Sequence, residues 1–308
     1  SKPTVFQLED GQTYQPSNYN DYYAYEPITL AQALAVSDNI YAVKTNIFLG
    51  PDKLVDTAKQ FGITADLPAV PSLALGTVSV SLNEMVRAYG MLANGGREVN
   101  SYAIEKIIDR HGKTVYERNQ SYGELVLDRQ TAFILTDLMT GMFDQSWNGY
   151  MEVTGSTIAS KLSRTYAGKS GSTNSDSWMI GFSPSMVAGV WIGYDDNRPL
   201  EYAFEAAYAK DIWASFMEAI HQERDVEQFI APEGVVRANI DPKTGQLATP
   251  YCPEQQSVYF EEGKKPTTHC TAHFHQDEVP EDDEELEEEK GLLEWREGYK
   301  QKNRTIDI

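Results

Sequence analysis

Two short runs hold the residue types that could do chemistry, Ser37-Asp38-Asn39 and, far downstream, Lys169-Ser170-Gly171-Ser172. A hydroxyl and a carboxamide each donate and accept hydrogen bonds, so the first run can pass a proton and hold an amide. The second sets one ammonium beside two hydroxyls, a combination suited to a carboxylate. The first run interrupts two apolar-periodic stretches, TLAQALAVSDN (29–39) and IYAVKTNIFLG (40–50), and so falls at a break between helices. Ser and Asn are also ordinary helix caps, and taken alone the triplet reads as one. The second run opens AGKSGSTNSDSWMIGF (167–182). A core strand favours β-branched and aromatic side chains, yet this one starts almost bare. Glycine within a strand marks a place where another backbone or a ligand comes close. The stretch therefore reads as a sheet edge kept clear, with one positive charge facing the space.

Ser-x-Asn followed by Lys-Ser/Thr-Gly, in that order, is two of the three signatures of the penicillin-recognising serine enzymes. The chain resembles the transpeptidase domain of penicillin-binding proteins, above all the bifunctional class A type. The likeness runs over roughly residues 20–222, through EPITLAQALAVSDNIYAVK, LALGTVSVSLNEMVRAYGMLANGG and AGKSGSTNSDSWMIGFSPSMVAGVWIGYDD. It implies acyl transfer to and from a serine on peptidoglycan stem peptides, with β-lactam antibiotics as the other ligands and no cofactor or metal. It implies that Ser37 relays a proton, Asn39 holds the substrate amide, and Lys169 keeps the cleft positive and bonds Ser37. Ser170 and Ser172 would grip the carboxylate, Gly171 would leave the edge open, and the Ser172 N–H would donate to the oxyanion. Two departures stand out. Serines replace the family's usual threonines at 170 and 172, which keeps both hydroxyls. The Ser-x-x-Lys nucleophile motif is missing, since no lysine here has serine three residues before it.

The elements that must position these residues follow from capping and periodicity. PDKLVDTAKQFG (51–62) has Pro at its start and Gly at its end, the asymmetry of a helix. SLNEMVRAYGMLANGG (81–96) carries a Ser81/Glu84 capping box. Helices are also expected at 128–143, capped by Asp128, at 154–162 and at 207–222, and two strands around His111-Gly112 within 99–118. Strands at 166–173, 177–183 and 186–195 with tight turns make an antiparallel meander. Together these predict an α/β, β-lactamase-like transpeptidase fold, an antiparallel sheet covered by helices, with its N-terminal part missing. The division expected is 1–225 for the C-terminal part of the transpeptidase domain, 226–276 for an irregular extension and 277–308 for an acidic tail.

The chain has 308 residues and a formal net charge of −20. Nearly half of that charge lies in DEVPEDDEELEEEK (277–290). Such a balance excludes nucleic acid as a partner, because phosphates would be repelled. No apolar run is long enough to span a bilayer. The resemblance nevertheless implies a glycosyltransferase domain and a membrane anchor ahead of residue 1, an extracellular location on the bacterial cell membrane, and an upstream fragment bearing the nucleophile. The alternative is a non-catalytic binding or scaffolding module on the same fold; a carboxypeptidase or serine β-lactamase fits the flanking stretches less well. Cys252 and Cys270 lie near His269, His273 and His275 in a spacing that matches no strong ligand pattern. A disulfide, a metal and free thiols all stay open there.

Overall fold

A computed structural model describes residues 1–7, 11–119 and 123–273. The acidic tail lies outside the described residues. Short strands β1 (Phe6–Gln7) and β2 (Thr13–Tyr14) pair in the lead-in. Helices α1 (Leu30–Val36), α2 (Asn39–Leu49), α3 (Pro51–Gln60) and α4 (Leu82–Ala93) follow, with the break between α1 and α2 at Ser37-Asp38. The capping box predicted at Ser81 and Glu84 is formed, with each side chain bonding the other's backbone N–H. β3 (Lys106–Ile108) and β4 (Thr114–Glu117) make an exposed hairpin around His111-Gly112. Asp128 caps α5 (Arg129–Thr140), and the short α6 (Ser156–Ala159) leads into the sheet.

The sheet is the predicted meander. β5 (Ala167–Ser172), β6 (Asp176–Phe182) and β7 (Val187–Gly193) pair antiparallel in that order. Helix α7 (Ala203–His221) returns across one face. Side chains alternate along β6, so one face of the sheet meets α7 and the other meets α4 and α5. Met179 joins Trp213, Ala214 and Met217 of α7 in one core cluster, while Phe182 joins Leu92 of α4 and Met139 of α5 in another. Two helical layers thus hold the strands rigidly.

Gly181 shows how tight the α7 face is. A Cβ placed there would stand 2.5 Å from Trp213 Cζ2 and 2.9 Å from the Ala167 carbonyl oxygen. Trp213 is fully buried and donates its indole N–H to the Ala188 carbonyl at 3.1 Å, so it cannot swing away freely. Gly181→Ala should therefore cost about 1–3 kcal/mol through overpacking. Thermal unfolding of the full-length protein checks this, and an unchanged melting temperature for this domain would contradict the packing argument.

The region after 231 corrects the sequence reading. It is not irregular throughout, because β8 (Val235–Ile240) and β9 (Gln256–Glu261) pair antiparallel over six residues each. This hairpin packs on α1 and α5 through Ile240 and Val258 against Ala31 and Leu138. Tyr259 also meets Phe133 of α5 edge to face, with ring centroids 5.1 Å apart.

Candidate active site

The break between α1 and α2 is built by a buried carboxylate. Asp38 caps α2 by accepting from the Tyr41 N–H at 2.6 Å. Its other oxygen accepts from Asn18 Nδ2 and from the Tyr150 hydroxyl, each at 2.6 Å. Asn18 in turn accepts from the backbone N–H groups of Asn39 and Ile40 at 2.9 and 3.3 Å. Asn18 and Asp38 are both about 3% exposed. This network fixes the chain direction, and Ser37 is forced into left-handed backbone at φ 60°, ψ 52°. A residue with a Cβ pays about 1–2 kcal/mol for that conformation. Such strain persists where the surroundings dictate it and where side-chain aim matters.

The aim is at Lys169. Its Nζ donates to Ser37 Oγ at 2.6 Å, joining residues 132 apart in sequence, and to the Ser170 carbonyl at 2.8 Å. Lys169 keeps partial solvent exposure, but burial of its ammonium end, and secondarily the like charge of Lys210, pushes its pKa down from 10.5 to about 8. Lys210, on α7, is itself pinned to the Thr154 carbonyl at 2.9 Å. No carboxylate pairs with Lys169 among the described residues, so its charge is available to a ligand.

β5 is an edge strand, since its only partner among the described residues is β6. Lys169, Ser170, Gly171 and Ser172 lie opposite Ile180, Met179, Trp178 and Ser177. Gly171 and Ser172 are exposed. A Cβ on Gly171 would meet nothing closer than Trp178 Cβ at 3.7 Å, an ordinary contact. The protein's own packing thus leaves room for a side chain at 171, unlike 181. The bareness of this edge is therefore not required by the packing of the described residues.

The structure brings Ser37 and Lys169 into direct contact and places Ser170 next to them. Asn39 sits at the first turn of α2, where its Nδ2 donates to the Ser17 carbonyl at 2.8 Å. Asn18, Tyr150 and Lys210 escaped the sequence reading. Each lies in a run with no spacing signal of its own, and only folding brings it to the site.

Residues 2–218 match the family described as penicillin binding protein transpeptidase domain. The chain belongs to the penicillin-binding protein transpeptidase family. Residues 231–275, which hold the β8–β9 hairpin, match the C-terminal domain of penicillin-binding protein 1A. Penicillin-binding protein 2D of Bacillus subtilis is 50% identical over 96% of this chain and 43% of its own length. Penicillin-binding protein 1A of Aquifex aeolicus is 34% identical over 88% of this chain and 36% of its own. Among solved structures, penicillin-binding protein 1A of Haemophilus influenzae superposes with a TM-score of 0.79 at 26% identity, over 87% of this chain and 45% of that one. PonA1 of Mycobacterium tuberculosis, solved with penicillin V, shares the fold at a TM-score of 0.59 and 21% identity, over 74% of this chain and 65% of that one. This penicillin-binding protein chain spans under half the length of the curated relatives named here. The family is one of serine-type acyltransferases, and the expected α/β transpeptidase fold is the one observed. No helix among the described residues is long and apolar enough to cross a membrane.

Proposed function

We propose that this chain supplies one side of a D,D-transpeptidase cleft that cross-links peptidoglycan stem peptides and is acylated by β-lactams, the serine nucleophile and its lysine coming from an upstream segment. The observation that carries this reading is the 2.6 Å contact of Lys169 with Ser37 beside an open strand edge. A free serine barely ionises at neutral pH and needs an adjacent base. Ser37 is suited to relay the proton from that base to the leaving D-Ala amine, because its hydroxyl can donate and accept. Asn39 is assigned to the substrate amide. Ser170 and Ser172, with the Lys169 charge behind them, are assigned to the terminal carboxylate of D-Ala-D-Ala or of a penicillin. The peptide would add to β5 as a further strand, which requires Gly171 to leave the edge clear. The Ser172 N–H would donate to the oxyanion as the acyl group forms. The reaction belongs on the outer face of the bacterial cell membrane, where stem peptides are.

The full-length protein should take a covalent label from fluorescent penicillin on a serine outside residues 1–308. Label on Ser37, Ser170 or Ser172 would overturn the assignment of roles.

The depressed pKa of Lys169 adds a pH signature. Below about 8 the ammonium is charged and attracts the carboxylate, and above it the charge is lost. The second-order rate of acylation should therefore fall as pH rises through about 8. Lys169→Arg, whose guanidinium stays charged, should remove that fall even where its absolute rate is lower. A wild-type rate that climbs through the same range would mean that Lys169 works as a neutral base instead.

A further inference from the structure

The C-terminal unit holds a cluster that the acyl-transfer chemistry does not use. Asp241, at the end of β8, is wholly buried. Its carboxylate and the sulfurs of Cys252 and Cys270 all lie within 4.8 Å of one another. The Cys270 thiol donates to Asp241 Oδ2 at 3.1 Å. His273 Nε2 stands 3.4 Å from that same oxygen, yet it is buried and makes no hydrogen bond. The nearby cation Lys243 turns its Nζ away to Glu26 at 3.7 Å, so among the described residues His273 is the one side chain near Asp241 that could carry a positive charge, and the hydrogen bonds to Asp241 come from backbone, hydroxyl and thiol donors. A buried carboxylate whose nearest possible cation makes no hydrogen bond to it is costly, and so is a buried ring nitrogen without a hydrogen-bond partner.

We infer that Asp241, Cys252, Cys270 and His273 form a structural binding site for a divalent metal ion of the zinc class, independent of the transpeptidase reading. Two sulfurs, one imidazole nitrogen and one carboxylate oxygen are a four-ligand set for tetrahedral zinc. Bond lengths of about 2.0–2.3 Å place such ligands roughly 3.3–3.8 Å apart, so Asp241, Cys252 and Cys270 need to close by an ångström or less, while His273 Nε2 must move in from its place beside the Asp241 carboxylate. On binding, both thiols lose their protons to water, the imidazole binds through neutral Nε2, and nothing is oxidised or reduced. The surrounding bonds suit this state. Cys252 Sγ already accepts from the Thr249 N–H at 3.3 Å, and Thr244 Oγ1 donates to Asp241 Oδ2 at 2.8 Å, holding two ligands in place from outside.

A Cys252–Cys270 disulfide is the competing outcome, and the carboxylate argues against it. Oxidation would remove the S–H that Asp241 accepts from and leave a buried anion with one partner fewer. The metal instead pairs the anion and occupies the orphaned His273 nitrogen.

The test uses the full-length protein purified without chelator. Elemental analysis should find close to one zinc per chain. Cobalt substituted for zinc should show the visible bands of a tetrahedral ion and a thiolate charge-transfer band. Asp241→Asn and His273→Gln should each lose zinc to a chromophoric chelator at least ~10-fold more readily, while penicillin labelling persists. Should a variant fail to fold, the metal content and cobalt spectrum of the wild type decide the matter alone. Three results would overturn the inference. They are a metal-free protein whose peptide map shows a Cys252–Cys270 disulfide, two free thiols that bind no added zinc, and bound zinc that these substitutions leave unchanged.

Discussion

Residues 1–308 expressed by themselves will take no covalent label from fluorescent penicillin, and supplying the upstream segment will restore labelling, on that segment. The reason is chemical first. Acylation needs a serine activated by a base within hydrogen-bond reach, and no Ser-x-x-Lys pair occurs in these residues. Ser37 is committed elsewhere. Its Oγ accepts a hydrogen bond from Lys169, and a cationic lysine that donates cannot also act as a base. The second reason is structural. β7 has no strand on its outer side among the described residues, and Phe48 and Leu49 at the end of α2 are 86% and 61% exposed. An open edge and exposed apolar side chains invite association between copies. The isolated chain should therefore elute as aggregates on size exclusion and become monodisperse when co-expressed with the upstream part. Denaturing electrophoresis of the labelled mixture reads the first claim directly. A fluorescent band at the mass of this chain alone would sink it and point to a serine within residues 1–308 as nucleophile.

Lys169→Ala in the full-length protein should slow penicillin acylation by about two to three powers of ten, the order seen when a preorganised electrostatic group is removed from a reacting site, because the ligand's carboxylate loses its counter-charge and Ser37 its partner. The substitution deletes the one cation that contacts Ser37 among the described residues and, on the proposed roles, leaves the substrate carboxylate to hydroxyls alone. It should not unfold the domain. The lysine's ammonium is held below its ordinary pKa by burial and by Lys210, so folding disfavours its charged form and removing it relieves that cost. The expected pattern is a melting temperature equal to or above wild type with acylation nearly lost. Stopped-flow acylation kinetics beside calorimetry separate the two. A rate within a few-fold of wild type would remove Lys169 from the cleft chemistry. Parallel loss of rate and stability would make it a structural residue.

Much of this site was legible in the linear chain, because its signals are local. Asp128 and the Ser81/Glu84 box cap helices by reaching N–H groups within one turn, so spacing alone reveals them. The meander was legible because its turns are short, and register in a hairpin is set by the turn. The two triplets were legible as a pair because their order matches a known signature. The β8–β9 hairpin was not. Its strands are separated by a long Pro-containing loop, and their pairing is supported by packing on α1 and α5 rather than by a turn motif.

What tertiary structure decided is the partner of each polar group. The triplet reads as a cap in sequence through its Ser and Asn, but the residue that caps α2 is Asp38. Only folding brings Asn18 from 20 residues before it and Tyr150 from 112 after it to its second oxygen, and so forces Ser37 into its strained, aimed conformation. The shift of Lys169 likewise comes from burial and from Lys210, on a helix that sequence places nowhere near it. Asp241, Cys252, Cys270 and His273 follow no compact spacing, yet the first three lie within 4.8 Å of one another and His273 Nε2 stands 3.4 Å from the Asp241 carboxylate. Hydrogen bonds and charges act over a few ångströms in space and carry no record of separation along the chain. Residue types and caps were therefore readable from the sequence, while the network that gives each one its role existed only once the helices had closed on the sheet.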